Sequence, residues 1–230
     1  MQKNYKLQIG TLFIIILVIA TSACSLIPSL APTAVEPAIN ESAVQAISSP
    51  ACDIFDSIPA STQYSAAPPM LIDTAGKYNA TVKMVSGGEF VIELYASKAP
   101  ITVNSFVFLS CKGYFNGVTF HRVLEDFMAQ GGDPTGSGSG GPGYEFVNED
   151  SDLTFDKAGV MAMANAGPDT NGSQFFITFG PQEFLNGGYT IFGQVISGMD
   201  VVNSITRRDP DQNPSFTGDA IESVTITTEE

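Results

Sequence analysis

The chain has 230 residues, room for one ordinary domain of about 150 residues with extensions and tight for two. Ten Lys and Arg stand against 24 Asp and Glu, a net charge of −14, which becomes −16 once residues 1–23, holding Lys3 and Lys6 but no acid, are set aside. So acidic an exterior excludes nucleic acid and electrostatic attachment to anionic lipid, because both need basic patches. Three cysteines, Cys24, Cys52 and Cys111, fit no zinc spacing, so no metal site is expected.

Residues 1–23 read as a signal peptide. A short basic start is followed by the apolar run Leu12 to Ala20, too short for a spanning helix, which needs about 20 apolar residues. Thr21-Ser22-Ala23-Cys24 then resembles a bacterial lipoprotein processing site, which implies lipidation of Cys24; Thr21 departs from the usual aliphatic residue there. The alternative is an uncleaved amino-terminal anchor, and either places the domain in the cell envelope, on the outer side of the cytoplasmic membrane, or secreted. Residues 24–72 are rich in Pro, Ala and Ser, a composition that does not bury enough apolar surface to offset chain entropy, and read as a spacer and pre-domain segment. Around Cys52-Asp53-Ile54-Phe55 the segment is less polar and suited to docking on the domain. In an exported protein Cys52 and Cys111 form an even pair for a disulfide, with two free buried thiols as the alternative.

Residues 73–230 form the predicted domain. Tyr78–Val85 and Glu89–Tyr95 alternate around Ser86-Gly87-Gly88, a hairpin signal. Pro100 opens a helix whose Val103, Phe106, Val107 and Ser110 recur at helical spacing, with Gly113 at its exit. Next, Phe120 to Asp133 reads with period 2 as two short strands around a turn, Phe120 and Arg122 facing one way and Met128 and Gln130 sharing a face, which sets a cation beside apolar groups. The glycine-rich run 131–143 is a surface loop and no phosphate cradle, since no Lys and no helix opening follow it. Further strands are expected at 159–164, 174–179 and 190–196, a short second helix at 199–205 and a closing strand at 220–227. Many short strands with two helices indicate an all-β sandwich or a closed barrel.

Two stretches carry the chemistry. Phe120-His121-Arg122-Val123 with Phe127-Met128-Ala129-Gln130-Gly131-Gly132-Asp133 is one; Met163-Ala164-Asn165-Ala166-Gly167-Pro168-Asp169-Thr170-Asn171-Gly172-Ser173-Gln174-Phe175-Phe176 is the other. They bring together a cation, two amides and large hydrophobes without a nucleophile, metal cluster or acid–base pair, an inventory suited to binding and polarising a neutral group. With Phe184 to Gly193 further on, these runs closely resemble the cyclophilin family of peptidyl-prolyl cis-trans isomerases, from about Asn79 to Thr228. The resemblance selects the barrel, closed, of eight antiparallel strands and capped by two helices. It implies a rotamase acting on Xaa-Pro bonds of exported proteins and peptides to assist folding, with no cofactor. Its partners would be proline-containing peptides and unfolded exported proteins, met by a monomer held on the membrane through its lipid.

Arg122 is the expected catalytic group, since a guanidinium stays charged and offers directed donors. Phe127, Met128, Phe176 and Leu185 are expected to form the proline slot, with Gln130, Gln174 and the backbone around Ala164 and Asn165 orienting the peptide. Phe184 stands where many members have Trp, which removes an indole donor and puts strong cyclosporin binding in doubt. Tyr189 stands where many have His and is kept as a substrate contact. His121 alternates away from Arg122, and no proton is transferred in the reaction, so it reads as structural. The competing function is a proline-peptide-binding or chaperone module without turnover.

Overall fold

A computed structural model describes residues 50–229, and the expected signal peptide, Cys24 and the first half of the spacer lie outside the described residues. The chain enters through a one-turn helix α1 (Pro50–Asp53) and an irregular segment to residue 76. The hairpin β1 (Lys77–Met84) and β2 (Glu89–Leu94) follows, with helix α2 (Pro100–Cys111) after it. Then come β3 (Arg122–Leu124), β4 (Met128–Gly131), β5 (Val160–Met163), β6 (Phe175–Thr178), β7 (Ile191–Ser197), helix α3 (Met199–Ser204) and β8 (Ile221–Glu229).

All pairings are antiparallel, in the order β3-β4-β6-β5-β7-β2-β1-β8. The expected closed barrel is corrected here to an open ladder, because its edge strands β3 and β8 do not pair as strands. β3 is only three residues long, so the seam is crossed by a single bridge, Thr119 to Ala220, and by main-chain bonds such as Phe120 N–H to Asp219 O at 2.9 Å.

Alternation explains where the apolar groups go. β1 and β2 alternate buried and exposed residues, as strands with one wet face should. In β5 and β6 every residue is buried, because both faces are covered. Met161, Met163, Phe175, Ile177 and Phe192 point into the main core inside the curled sheet. Val160, Ala162, Phe176 and Ile191, with Met128, point outward into a second, smaller cluster that also holds Phe155 and Leu185. Phe120 and Arg122 do not share a face as the period-2 reading has it: the strand begins only at Arg122, and Phe120, ahead of it, turns into the main core.

α2 is buried along Thr102–Ser110, including the polar Thr102, Asn104, Ser105 and Ser110, so it has no solvent stripe. The pre-domain segment provides the outer cover. Asn104 Oδ1 accepts from the N–H groups of Leu71 (3.0 Å) and Ile72 (3.3 Å), and its Nδ2 donates to Pro69 O at 3.0 Å. Phe55, fully buried, and Tyr64 both meet Phe108, with ring centroids 5.3 and 4.9 Å apart. Cys52 and Cys111 are joined, their Cα atoms 5.3 Å apart. From residue 50 onward the pre-domain segment is therefore docked, as the apolar patch around residues 52–55 leads one to expect: Ala51, Phe55 and Ile72 are buried, while Ile54, Met70 and Leu71 stay exposed.

Candidate active site

The outward cluster leaves a recess. Its volume is about 200 Å³, and it is lined by nine of the eleven residues expected to form the site, all except Gln174 and Phe184. β3 and β4 build its polar side: they pair Arg122 with Gln130 and Leu124 with Met128, so Arg122, Met128 and Gln130 fall on one face while Val123 and Ala129 fall into the core. Arg122 is half-buried, and its guanidinium carbon lies 5.8 Å from the centroid of the Phe127 ring, near enough for a cation–π contact. β6 sets Phe176 opposite Gln130, at the floor. Phe176 is fixed by a stacked contact with Phe155 at 5.8 Å and an edge contact with Tyr189 at 5.4 Å. A short 3₁₀ turn over Glu183–Leu185 supplies buried Leu185 and, on the rim, Phe184, which is 75 % exposed and tilted against Phe127 at 5.7 Å.

Gln174 sits next door. Gln130 Nε2 donates to Gln174 Oε1 at 2.9 Å, and Gln174 Nε2 donates to Gly140 O at 2.9 Å and Gly138 O at 3.0 Å. The two amides thus join the recess to the glycine-rich loop. Asn165 spends its side chain locally, Nδ2 donating to Gly188 O and Oδ1 accepting from Gly167 N–H, while Ala164 N–H donates to Gln174 O at 3.0 Å.

His121 is in neither place. It lines a separate surface cavity with Arg208 and Ser137, and its ring nitrogens have no hydrogen-bond partner among the described residues. Burial holds its pKa below the ordinary histidine value, against the pull of Asp133. A buried imidazole kept neutral and out of the recess is a packing group.

Sequence reasoning passed over Asp133. Its carboxylate is 1 % exposed and accepts from Thr135 N–H (2.7 Å), Thr135 Oγ1 (2.8 Å), Gly138 N–H (2.6 Å) and Gly140 N–H (3.0 Å). Burial works against its charge, but these donors win and hold its pKa at about 2. The loop closes so tightly that a Cβ on Gly140 would lie 2.1 Å from Asp133 Oδ1. The signal was present in the sequence: an Asp two residues before a Thr at the head of a glycine run is the pattern of a side chain that caps its own turn. Glu149 was missed as well. It accepts from the N–H groups of Ile101 (2.9 Å) and Thr102 (2.8 Å), capping α2 across 48 and 47 residues, and no local pattern announces that.

Among the described residues there is no group of three potential metal-binding side chains. The arrangement offers an apolar slot, one guanidinium at its edge and amides beside it, a set of groups suited to binding and polarising an uncharged group.

Comparison with known proteins agrees with this geometry. Residues 80–228 match the family described as cyclophilin type peptidyl-prolyl cis-trans isomerase/CLD. "Peptidyl-prolyl cis-trans isomerase-like 1" of Mus musculus is 53% identical over 124 residues, which span 52% of this chain and 75% of that protein. "Peptidyl-prolyl cis-trans isomerase ppi1" of Schizosaccharomyces pombe is 50% identical over 133 residues, 55% of this chain and 86% of that protein. A crystal structure of a Cryptosporidium parvum cyclophilin type peptidyl-prolyl cis-trans isomerase in the presence of the dipeptide Ala-Pro superimposes with a TM-score of 0.58 at 33% identity, covering 66% of this chain and 99% of that one.

Proposed function

Because the chain belongs to the cyclophilin-type peptidyl-prolyl cis-trans isomerases, we propose that the recess takes the proline ring of an Xaa-Pro peptide and that Arg122 catalyses rotation about the bond before it. Conjugation gives a peptide bond a rotation barrier of about 18–20 kcal/mol, and Xaa-Pro bonds exchange unaided over tens to hundreds of seconds. Twisting the bond localises the lone pair on the prolyl nitrogen, which then accepts a hydrogen bond that the planar amide does not. A donor aimed at that nitrogen stabilises the twisted state more than either planar isomer, which is the condition for catalysis. Arg122, which lines the recess, would be that donor, and Gln130 with the backbone near Ala164 and Asn165 would hold the peptide so that one end turns while the other stays fixed.

The observation that carries this reading is the sharing of one 200 Å³ recess by Arg122 and the apolar Phe127, Met128, Phe176 and Leu185. A binding module without turnover would need the slot but not a cation at its edge. NMR exchange spectroscopy on an Xaa-Pro peptide tests the difference. Arg122→Ala should slow catalysed exchange by about 10²–10³-fold, the range for loss of one transition-state donor, with peptide affinity largely kept. Exchange as fast as in the unaltered protein would refute the mechanism.

The same reading sets the enzyme in the cell envelope, lipid-anchored at Cys24, where it serves exported clients. The N-terminal pattern supports this, and so does the juxtaposition of Cys52 and Cys111, a bond that persists in oxidising compartments. Metabolic labelling with a fatty acid that survives in Cys24→Ala would defeat the anchor.

A further inference from the structure

A second, larger cavity of about 860 Å³ adjoins the recess and shares Gln130, Ala164 and Asn165 with it. A peptide with its proline in the recess therefore has a continuous path for the residues on one side of it, across those three positions and into the larger space. One wall is the glycine-rich loop 138–143, which Asp133 clamps from behind and Gln174 from the front.

The outer edge of that wall is built by residues that precede the family-matched stretch 80–228. Gln63 Nε2 donates to Gly141 O at 2.7 Å, and Tyr64 N–H donates to Pro142 O at 2.7 Å. The contact is close: Gly143 has φ +93°, and a Cβ there would lie 2.5 Å from Tyr64 O. The edge is also braced within itself, since Ser61 N–H donates to the Tyr64 hydroxyl at 2.9 Å and Gln63 N–H to Ser61 Oγ at 3.0 Å. Gln63 is thus pinned through its amide nitrogen, while its Oε1 accepts no hydrogen bond among the described residues. Around the cavity Glu145 is the one charged side chain among the described residues, with no Lys or Arg.

We propose that Gln63 and Glu145 make this cavity a subsite for a basic side chain near the proline, so that the pre-domain segment is part of the substrate-binding surface and sets its preference. A Lys or Arg side chain is all donor, and it meets here the free amide oxygen of Gln63 and the Glu145 carboxylate, the one charge in the lining; an acidic side chain finds hydroxyl and amide donors but faces a like charge. The inference rests on the isomerase reading of the recess, and its test keeps the two separable.

With the full chain, NMR exchange would be measured on three Xaa-Pro peptides that differ only in carrying Lys, Ala or Glu at a position flanking the Xaa-Pro pair, each flanking position in turn. At one such position the Lys peptide should exceed the Glu peptide in kcat/KM by about fivefold at low salt, as for a solvent-accessible ion pair, and the gap should narrow at high salt. Gln63→Ala and Glu145→Gln should each shrink the ratio, and Gln63→Lys combined with Glu145→Gln should invert it, an outcome that loss of folding does not imitate. Equal rates for Lys and Glu peptides at every position, with the Ala peptide turned over, would overturn this inference alone. No catalysed exchange on any peptide would overturn the isomerase reading beneath it.

Discussion

Replacing Asp133 by Asn tests whether a buried carboxylate holds the loop beside the site. The change keeps the shape and removes the charge. Asp133 accepts from two hydroxyls and three main-chain N–H groups within one loop, and its pKa falls from 3.8 to about 2 in the fold. A depression of nearly two units corresponds to about 2–3 kcal/mol of stability. Because the folded pKa is the lower one, that contribution is complete above the unfolded value of about 4 and disappears as the pH falls from about 4 to about 2. In Asp133→Asn the amide accepts through one oxygen only and turns N–H toward N–H, so at neutral pH the variant should be less stable by about 2–3 kcal/mol, roughly 4–12 °C in Tm for a chain of this size. Urea unfolding at a series of pH values, with the variant curve subtracted from the unaltered one, isolates this group from the other carboxylates. The difference should be flat above pH 5 and decay toward pH 2. A difference below about 0.5 kcal/mol at neutral pH, or one that does not change between pH 5 and 2, would refute the account.

Glu149 closes the first turn of α2, whose own N-cap residue, Ala99, makes no side-chain cap. Glu149→Ala should cost about 1–2 kcal/mol in urea unfolding, and a loss under about 0.3 kcal/mol would mean that water caps the helix as well. The Cys52–Cys111 bond closes a separation of 59 residues, for which the chain-entropy relation gives about 4 kcal/mol. Reduction should lower stability by roughly that amount, and thiol titration of the denatured, unreduced protein should find neither cysteine free; finding both free would rule the bond out.

What was legible in the sequence was whatever neighbours along the chain decide. The hairpin of β1 and β2 follows from alternation about Gly87-Gly88, and α2 begins at Pro100 and gives way to a left-handed Gly113, because those signals act within a turn. The recess was legible mainly through the family resemblance: period 2 gives only that Met128 and Gln130 share a face, and what brings Phe176 to them is the pairing of the two motif strands, Gln130 opposite Phe176, which no local pattern announces. Phe120 escaped the same rule because periodicity says nothing about where a strand starts, and the seam of the sheet escaped it because closure depends on how far β3 extends toward β8.

The rest was illegible for a physical reason that also bears on function. α2 reads as a helix with one apolar face, yet it is buried all round; what covers Asn104 lies 32 to 35 residues upstream, in a stretch whose composition, taken alone, argues for a chain too polar to pack. The stretch packs because it does not have to form a core of its own. Phe55 and Tyr64 borrow one from Phe108, and the link at Cys52 lowers the entropy lost in docking. Once docked on α2, the segment is carried to the glycine loop, where Gln63 reaches Gly141 across 78 residues. A loop rich in glycine has little side chain with which to discriminate among peptides, so a wall made of main chain gains selectivity only from side chains brought in from elsewhere. The chain brings one in from outside the shared fold, at the edge where the flanking part of a proline peptide would pass, and there its preferences can differ from those of its relatives while the Arg122 recess stays as it is.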